Sequence, residues 1–444
     1  MCCFGYFKAH TQMIPVLLLL SFVGFLLNLD TPKGVSYASP FLLFSDYCMV
    51  LLCSWFLINR ILRRYGRKII IRYYCLFLLS ITIGLYILYF VWTPMIDPNA
   101  DMGYDPLKYY AFASRIMRGD FIPWTLNYWG VVYFYIGCMT VFGLDPMVPL
   151  FVNSLLSLSA ILLLARLLAN NKTIAFYGLI LLVPEVIYYQ MVSSREVLCM
   201  APVVIFIVKF LEFKIHKSKG ALLLMLASFL LLTIIRPPMT VPLVLVVIIS
   251  ILRNAKGKNL VAGVIGLCVL GVIVLYGLRV SSSLGSSFDT TYLEETVTTG
   301  VSGNSEIAKG NSGGGLTTLL LPHNPVEYVV FGVIRSFVYL LPPPVMLTDF
   351  FEQMSLTNYF IYEHLTSILI MFLVPLVYTS FKNRKQMDNN HKLILMVYLL
   401  YFFMIGVSLP SLIQHRYRFI YEVFYFALAI YAYSNKKKLT KKIA

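Results

Sequence analysis

Apolar residues fill the chain in long runs, and short polar segments separate these runs. A helix needs roughly 20 apolar residues to cross a bilayer, so the pattern predicts about twelve membrane-spanning helices. We place them near residues 13–30, 41–59, 73–94, 148–168, 173–190, 198–213, 220–235, 239–252, 259–279, 364–381, 392–409 and 418–434. The sequence therefore predicts an all-α, polytopic protein with a single integral membrane domain over residues 1–444.

The composition agrees with this interpretation. The chain is 59% hydrophobic and only 13% charged, whereas about a quarter of the residues of a soluble domain are charged. A net charge of +16 could suggest nucleic acid as a partner. Lysine and arginine cluster instead in short loops between apolar runs, which is typical of cytoplasmic loops. We therefore expect the lipid bilayer, and no nucleic acid, as a partner.

The basic clusters also predict the orientation of the chain. The densest one comprises Arg60, Arg63, Arg64, Arg67, Lys68 and Arg72, and it predicts a cytoplasmic loop before the third span. The segment 95–127 is then the first extracytoplasmic loop. Further alternation of the spans leaves both termini in the cytoplasm, which agrees with the lysine-rich C-terminal tail.

Two extracytoplasmic regions stand out by their patterning. In the first loop, apolar residues recur at helical spacing after Asp105, which predicts a helix lying on the membrane surface. The region 280–363 is a second, long extracytoplasmic loop, rich in Ser, Gly and Thr in its first part. Loops of this length are often functional lids. We interpret 128–143 as an interfacial or re-entrant helix, with a true span as the alternative, and 326–341 as another surface helix.

Ionisable residues collect near the predicted outer ends of the spans, where a buried charge is costly and usually paired or functional. Arginines bind phosphate through paired hydrogen bonds, and a carboxylate can accept a proton from a hydroxyl nucleophile. The combination favours displacement of a polyprenyl phosphate or diphosphate by an alcohol. Each residue also has a structural explanation, such as helix capping by an aspartate before proline. The candidate residues are Asp101, Asp105, Arg195, Glu196, Arg236, Arg335, Arg416 and Arg418.

The cysteine and histidine spacing does not favour a metal site. The eight cysteines include no CxxC pair, and the six histidines include no HxxxH pair. We therefore predict no metal site, no cofactor and no disulfide framework, although a divalent metal is not excluded by the chemistry.

The order of these features resembles the GT-C superfamily of membrane glycosyltransferases, in particular bacterial protein mannosyltransferases and lipid A aminoarabinose transferases. The resemblance is carried by short motifs between about Asp101 and Tyr433. They are Asp105 with Tyr109, Ala113 and Gly119 in the first outer loop, Val141-Phe142-Gly143 after the short apolar helix, the span from Val148 to Leu168, Pro184 and Glu196, and Arg416-Tyr417-Arg418 before the last span.

This resemblance implies an enzyme, an inverting glycosyltransferase that uses a polyprenyl-phosphate-linked sugar and an acceptor glycan or lipid. Asp105 would be the general base on the acceptor hydroxyl, with Asp101 in reserve. Arg236, Arg335, Arg416 and Arg418 would bind the donor phosphate, and Arg195 with Glu196 would order the site. The active site would face the outside of a bacterial plasma membrane. The outer loops lack an Asn-x-Ser/Thr sequon, which disfavours a eukaryotic lumenal setting.

The chain departs from the family pattern in three ways. Two additional spans precede the first loop, Pro106 replaces the second acidic residue after Asp105, and no large outer domain follows the last span. These departures leave two alternatives open. One is a polymerase of O-antigen or capsule repeat units, which shares the size and the outer arginines. The other is a transporter or flippase of polyprenyl-linked sugar, which would place charges at the bilayer midplane and show repeated halves.

Overall fold

The structure is a computed structural model, and it describes residues 2–31, 35–96, 105–120, 129–252, 325–341, 360–408 and 415–440. All regular secondary structure in these ranges is helical, and they contain no β-strand. The all-α prediction is thereby confirmed for the described residues. The chain divides into two compact units, residues 1–235 with 429–444 and residues 236–428, and each is described by itself. The predicted single domain over 1–444 stays a prediction.

The first unit, in the ranges that the structure describes, contains ten α-helices and the end of a long C-terminal one. They are α1 (Cys2–Asn28), α2 (Pro40–Leu62), α3 (Arg67–Ile87), α4 (Asp105–Met117), α5 (Trp129–Phe142), α6 (Met147–Leu168), α7 (Ile174–Tyr177), α8 (Pro184–Met191), α9 (Arg195–His216) and α10 (Lys219–Ile235). Short 3-10 or π turns extend α2, α3 and α7. Helices α3 and α6 pack centrally against several of the others.

The second unit begins with a 3-10 turn, Pro237–Thr240. Its helices are α11 (Val241–Leu252), α12 (Pro325–Val338), α13 (Phe360–Lys382), α14 (Asn389–Ser408) and the first part of α15 (Phe419–Thr440). Helix α14 packs against both α11 and α12. A 3-10 turn, His415–Arg418, leads into α15.

Several of these helices are apolar and long enough to cross a membrane. Within the described ranges, four meet both conditions, Pro40–Tyr65, Arg67–Met95, Met147–Leu168 and Ile361–Lys382, and a bent pair would make a fifth. Large apolar side chains also face outward, for example Phe41 at 82% and Phe372 at 77% exposure. Such exposure is expected of surfaces that contact lipid rather than water. The count of twelve spans and the cytoplasmic termini stay predictions, and the span at 259–279 lies outside the described residues.

One predicted span is not continuous. We predicted a single helix over 173–190, whereas the structure has two helical pieces, Ile174–Leu182 and Pro184–Met191, bent by 55°. The break lies at Val183, whose backbone is extended. Pro184 explains it, because proline disfavours a helical conformation of the preceding residue and has no N–H to donate to the earlier turn. Ser80 of α3 donates a hydrogen bond to the Leu181 carbonyl beside the break.

Helices α5 and α10 approach so closely at Gly130 that no side chain fits. A Cβ at Gly130 would lie 2.2 Å from the Ile234 carbonyl oxygen, whereas a Cβ at Gly137 of the same helix would meet nothing within 4 Å. We expect Gly130→Ala to lower the free energy of unfolding by about 1–3 kcal/mol, because the helices must separate. Gly137→Ala, the matched control, should be neutral or slightly stabilising, since alanine favours helix. Thermal unfolding in detergent distinguishes them, and equal midpoints for both variants would contradict the close approach.

Candidate functional site

The first unit joins two of the predicted site regions, the start of α4 and the start of α9. Asp105 is the first residue of α4, and Tyr109 follows one helical turn later. The Arg195 guanidinium lies over the Tyr109 ring, with Cζ 5.9 Å from the ring centroid. A cation above an aromatic face is attracted by the ring quadrupole. The helix that begins with Asp105 is therefore in contact with Arg195 at the start of α9, although the Asp105 side chain itself lies outside the described part.

A buried network holds the turn that precedes Arg195. The Tyr135 hydroxyl donates to the Ser194 carbonyl oxygen at 2.8 Å and accepts from Asn153 Nδ2 at 3.0 Å. The same Asn153 amide donates to the Val192 carbonyl oxygen at 2.9 Å. Tyr135 and Asn153 are fully buried, at 0% exposure. Since buried polar groups of this kind rigidify the backbone that they bind, α5 and α6 position the start of α9.

Two glutamates of the first unit are buried at helix starts. Glu196, in the first turn of α9, is 3% exposed, and Glu185, in the first turn of α8, is fully buried. Acidic side chains in the first turn of a helix are stabilised by the helix dipole. In the sequence, Glu185 falls within the predicted span at 173–190. In the structure it follows the break at Val183, so it lies at a helix start rather than inside a continuous helix.

Helix α4 is also fixed to the segment that connects α1 to α2. The buried Tyr110 hydroxyl donates to the Val35 carbonyl oxygen. The adjacent Ser36 hydroxyl donates to Asp145 Oδ2 at 2.5 Å, and Asp145 Oδ1 accepts from the Met147 main-chain N–H at 2.7 Å at the start of α6. The segment between α1 and α2 thus directly supports the helix that starts at Asp105.

This support should make stability depend on pH. Burial raises the pKa of Asp145 to about 6, against the hydrogen bonds from Ser36 and Met147, which lower it. An unfolded aspartate has a pKa near 3.9. Between about pH 4 and pH 6 the folded state therefore binds a proton that the unfolded state does not, and stability rises as the pH falls through this window.

We expect Asp145→Asn to remove this pH dependence of stability. In the parent, the free energy of unfolding should change by roughly 3 kcal/mol at most over that window. Asparagine keeps an acceptor for the Met147 N–H and carries no charge. The measurement is the unfolding midpoint of both proteins between about pH 8 and pH 4. Parallel pH profiles would contradict the assignment to Asp145.

The second unit joins two other predicted regions. Arg236, which follows α10, is 8% exposed, and its Cζ lies 4.3 Å from the ring centroid of Tyr417. Tyr417 is the central residue of the Arg416-Tyr417-Arg418 element. Arginine stacked on an aromatic ring keeps its in-plane N–H donors available for a planar or tetrahedral anion. The backbone of Arg416 is part of this turn, and its side chain lies outside the described part.

Arg418 ties three helices together. Its Nε donates to Glu422 Oε1 at 2.6 Å, and its other nitrogens donate to the Tyr339 carbonyl oxygen, the Ser367 hydroxyl and the Glu363 carbonyl oxygen. The residue is fully buried, at 0% exposure. A guanidinium has five N–H donors, so protein acceptors bind most of them. Its role in the structure is to connect α12, α13 and α15, and phosphate binding by Arg418 stays a prediction.

Arg335 lies at the crossing of α12 and α14. It is 1% exposed, and its Nε donates to the Gly406 carbonyl oxygen at 3.0 Å. A Cβ at Gly406 would lie 2.3 Å from the Gly332 carbonyl oxygen, which shows how closely the two helices cross. Small residues allow such crossings in membranes. Arg335 is therefore also in contact with protein acceptors inside its unit.

Four polar residues that the structure buries were not predicted from the sequence. Asp145 and the Tyr135–Asn153 pair are described above, and Asp46 in α2 is 5% exposed within a helix that could span the membrane. Asp46 had a recognisable signal, since an acid inside an apolar run is a functional candidate by default. Asp101 lies outside the described residues. No group of three or more His, Cys, Asp or Glu side chains in the described ranges could hold a metal ion.

Comparison of the chain with protein-family models, with curated proteins and with solved structures found no match.

Proposed function

We propose that this protein is a membrane glycosyltransferase. It would transfer a sugar from a polyprenyl-phosphate or polyprenyl-diphosphate donor to an acceptor hydroxyl on the extracytoplasmic face, in the synthesis of a surface polysaccharide or glycoconjugate. The several helices that are apolar enough to span a membrane support its location in a bilayer. A lipid-linked donor is the substrate class that an enzyme of this kind meets there.

The observation that carries the proposal is the contact between α4 and the start of α9. Asp105 begins α4 one turn before Tyr109, and Arg195 lies over that ring. In this proposal the positive charge of Arg195 beside the helix keeps the Asp105 carboxylate ionised, as a base requires. In this proposal Asp105 accepts the proton of the acceptor hydroxyl, Asp101 is its reserve, and Arg195 with Glu196 orders the site.

The resemblance, rather than any geometry between the two units, assigns the donor phosphate to Arg236, Arg335, Arg416 and Arg418. Arg236 is the strongest candidate, because the Tyr417 ring orients its guanidinium and no described protein acceptor is hydrogen-bonded to it. Arg416 belongs to the same turn. Arg335 and Arg418 are engaged by protein acceptors, so they support the site by fixing the helices around it. Positive charge there would stabilise the phosphate as it leaves the sugar.

A second candidate function is favoured by the broken helix. Transporters often bind substrate at discontinuous helices, and the bend at Val183 with the buried Glu185 has that form. A transporter or flippase of polyprenyl-linked sugar would move the lipid and form no glycosidic bond. A repeat-unit polymerase would form that bond and differ from the first proposal in its acceptor.

The test is an assay on the purified chain in proteoliposomes with a radiolabelled polyprenyl-linked sugar. Release of the polyprenyl phosphate together with a new labelled glycan supports the transferase. Labelled lipid that crosses the bilayer intact supports the transporter instead. Products that grow by whole repeat units identify the polymerase. An intact donor that neither reacts nor crosses contradicts all three proposals.

A further inference from the structure

A groove in the second unit combines basic and apolar side chains in a way that the proposed function does not use. It has a volume of about 580 Å³ and is lined by Arg384, Lys385, Lys392, Leu395, Met396, Leu399 and Leu400. All lining residues come from α14 and from the 3-10 turn Arg384–Gln386 that precedes it.

The groove is divided into a charged end and an apolar face. Lys392 lies in the first turn of α14, and Arg384 and Lys385 are exposed on the preceding turn. The four apolar residues lie three, four, seven and eight positions after Lys392, so they share one face of the helix. From Lys392 to Leu400 this face extends about 12 Å along the axis. The charged end therefore lies above a continuous apolar strip.

The local charge at the groove is positive. Asp388, an acid close to it in the chain, is bound to His391: its Oδ2 lies 2.7 Å from Nδ1 of that ring, and its Oδ1 accepts the His391 main-chain N–H. The hydrogen bond from the His391 side chain holds the pKa of Asp388 at about 2. Three cations at the groove therefore outweigh this paired carboxylate.

We propose that this groove binds an anionic phospholipid, with the phosphate at Arg384, Lys385 and Lys392 and an acyl chain along Leu395, Met396, Leu399 and Leu400. Arginine and lysine contribute hydrogen bonds and charge to a phosphate, and the apolar strip removes the chain from water. Basic pockets beside membrane helices bind anionic headgroups in this way. The site is independent of the proposed sugar transfer, because it shares no residue with that site.

The experiment measures lipid binding to the full-length, delipidated protein by native mass spectrometry, with phosphatidylglycerol and phosphatidylcholine as probes. We expect phosphatidylglycerol to bind preferentially. The triple variant Arg384→Gln, Lys385→Gln and Lys392→Gln should weaken phosphatidylglycerol binding by roughly tenfold or more. The matched control replaces three exposed arginines of the Arg60–Arg72 cluster by glutamine, Arg60, Arg63 and Arg67, and removes the same charge.

A further variant tests the apolar part of the site. Leu399→Trp fills the apolar strip and leaves all three cations in place, so the variant should bind phosphatidylglycerol more weakly than the parent. In a separate competition experiment on the parent protein, inorganic phosphate should not displace phosphatidylglycerol. The inference is overturned if the groove variant binds phosphatidylglycerol as the parent does, or if the control loses as much. It is also overturned if phosphatidylcholine binds equally well, or if Leu399→Trp has no effect.

Discussion

Replacing Asp105 by asparagine is expected to reduce sugar transfer by roughly 10²- to 10⁴-fold, the usual contribution of a general base. The amide is close to the carboxylate in size and cannot take a proton from the acceptor hydroxyl. The measurement is kcat with a radiolabelled polyprenyl-linked donor in proteoliposomes. The KM for the donor should change little, since the proposed base contacts the acceptor rather than the phosphate.

The Asp105→Asn variant also distinguishes a catalytic role of Asp105 from a role in helix capping. Asp105 precedes Pro106 at the start of α4, where an aspartate can act as a cap. Asparagine caps a helix about as well as aspartate does, so Asp105→Asn should unfold at the same temperature as the parent. Asp105→Ala removes both functions and should lose stability as well as activity. An Asp105→Asn variant that retains most of its activity would leave capping as the only role of this residue.

Asp120 provides a matched control close to the same helix. It lies just after α4, and its carboxylate is 3.4 Å from Arg115 Nε in an exposed ion pair. Exposed pairs contribute at most about 1 kcal/mol, so Asp120→Asn should leave both stability and transfer close to parental values. If Asp120→Asn lowered activity as much as Asp105→Asn, loss of negative charge on this loop would explain both effects.

Hydrophobic patterning predicted where the helices lie. The helix after Asp105, the short helix at 128–143 and the helix at 326–341 all exist, as α4, α5 and α12. Apolar residues at helical spacing predicted the first of these helices, and short apolar runs predicted the other two. The break at Val183 was also encoded locally, by Pro184, but the apolar run around it favoured one continuous span.

Side-chain partners could not be predicted in the same way. Sequence patterning placed Arg236 and the Arg416-Tyr417-Arg418 element separately, each at the predicted outer end of a span. Such patterning does not indicate which distant residues are in contact. The stacking of Arg236 on Tyr417 and the network of Tyr135 with Asn153 depend on how helices pack in three dimensions. The same holds for Arg418, whose acceptors come from α12, α13 and α15. From the sequence alone, a buried arginine whose N–H donors bind protein acceptors looks the same as one whose donors bind a phosphate.

Arg418→Met is expected to lower the free energy of unfolding by about 3–5 kcal/mol, because it leaves a buried carboxylate without its partner. Glu422 is 1% exposed and receives the Arg418 Nε hydrogen bond at 2.6 Å. The carbonyl oxygens of Tyr339 and Glu363 would also lose their donor. Unfolding of the full chain in detergent is the measurement, and Arg115→Met, in the exposed pair with Asp120, is the control with an expected effect of at most about 1 kcal/mol.

The double variant Arg418→Met with Glu422→Leu distinguishes a structural tie from a phosphate-binding arginine. When both charges of a buried pair are replaced by apolar groups of similar size, most of the lost stability usually returns. We therefore expect the double variant to unfold nearer to the parent than Arg418→Met does. If stability returns and transfer returns with it, Arg418 acts only by joining the helices. If stability returns while the KM for the donor stays high, the guanidinium also contacts the donor phosphate. A single variant as stable as the parent would mean that Glu422 does not need this partner, and the buried pair would then not hold α12, α13 and α15 together.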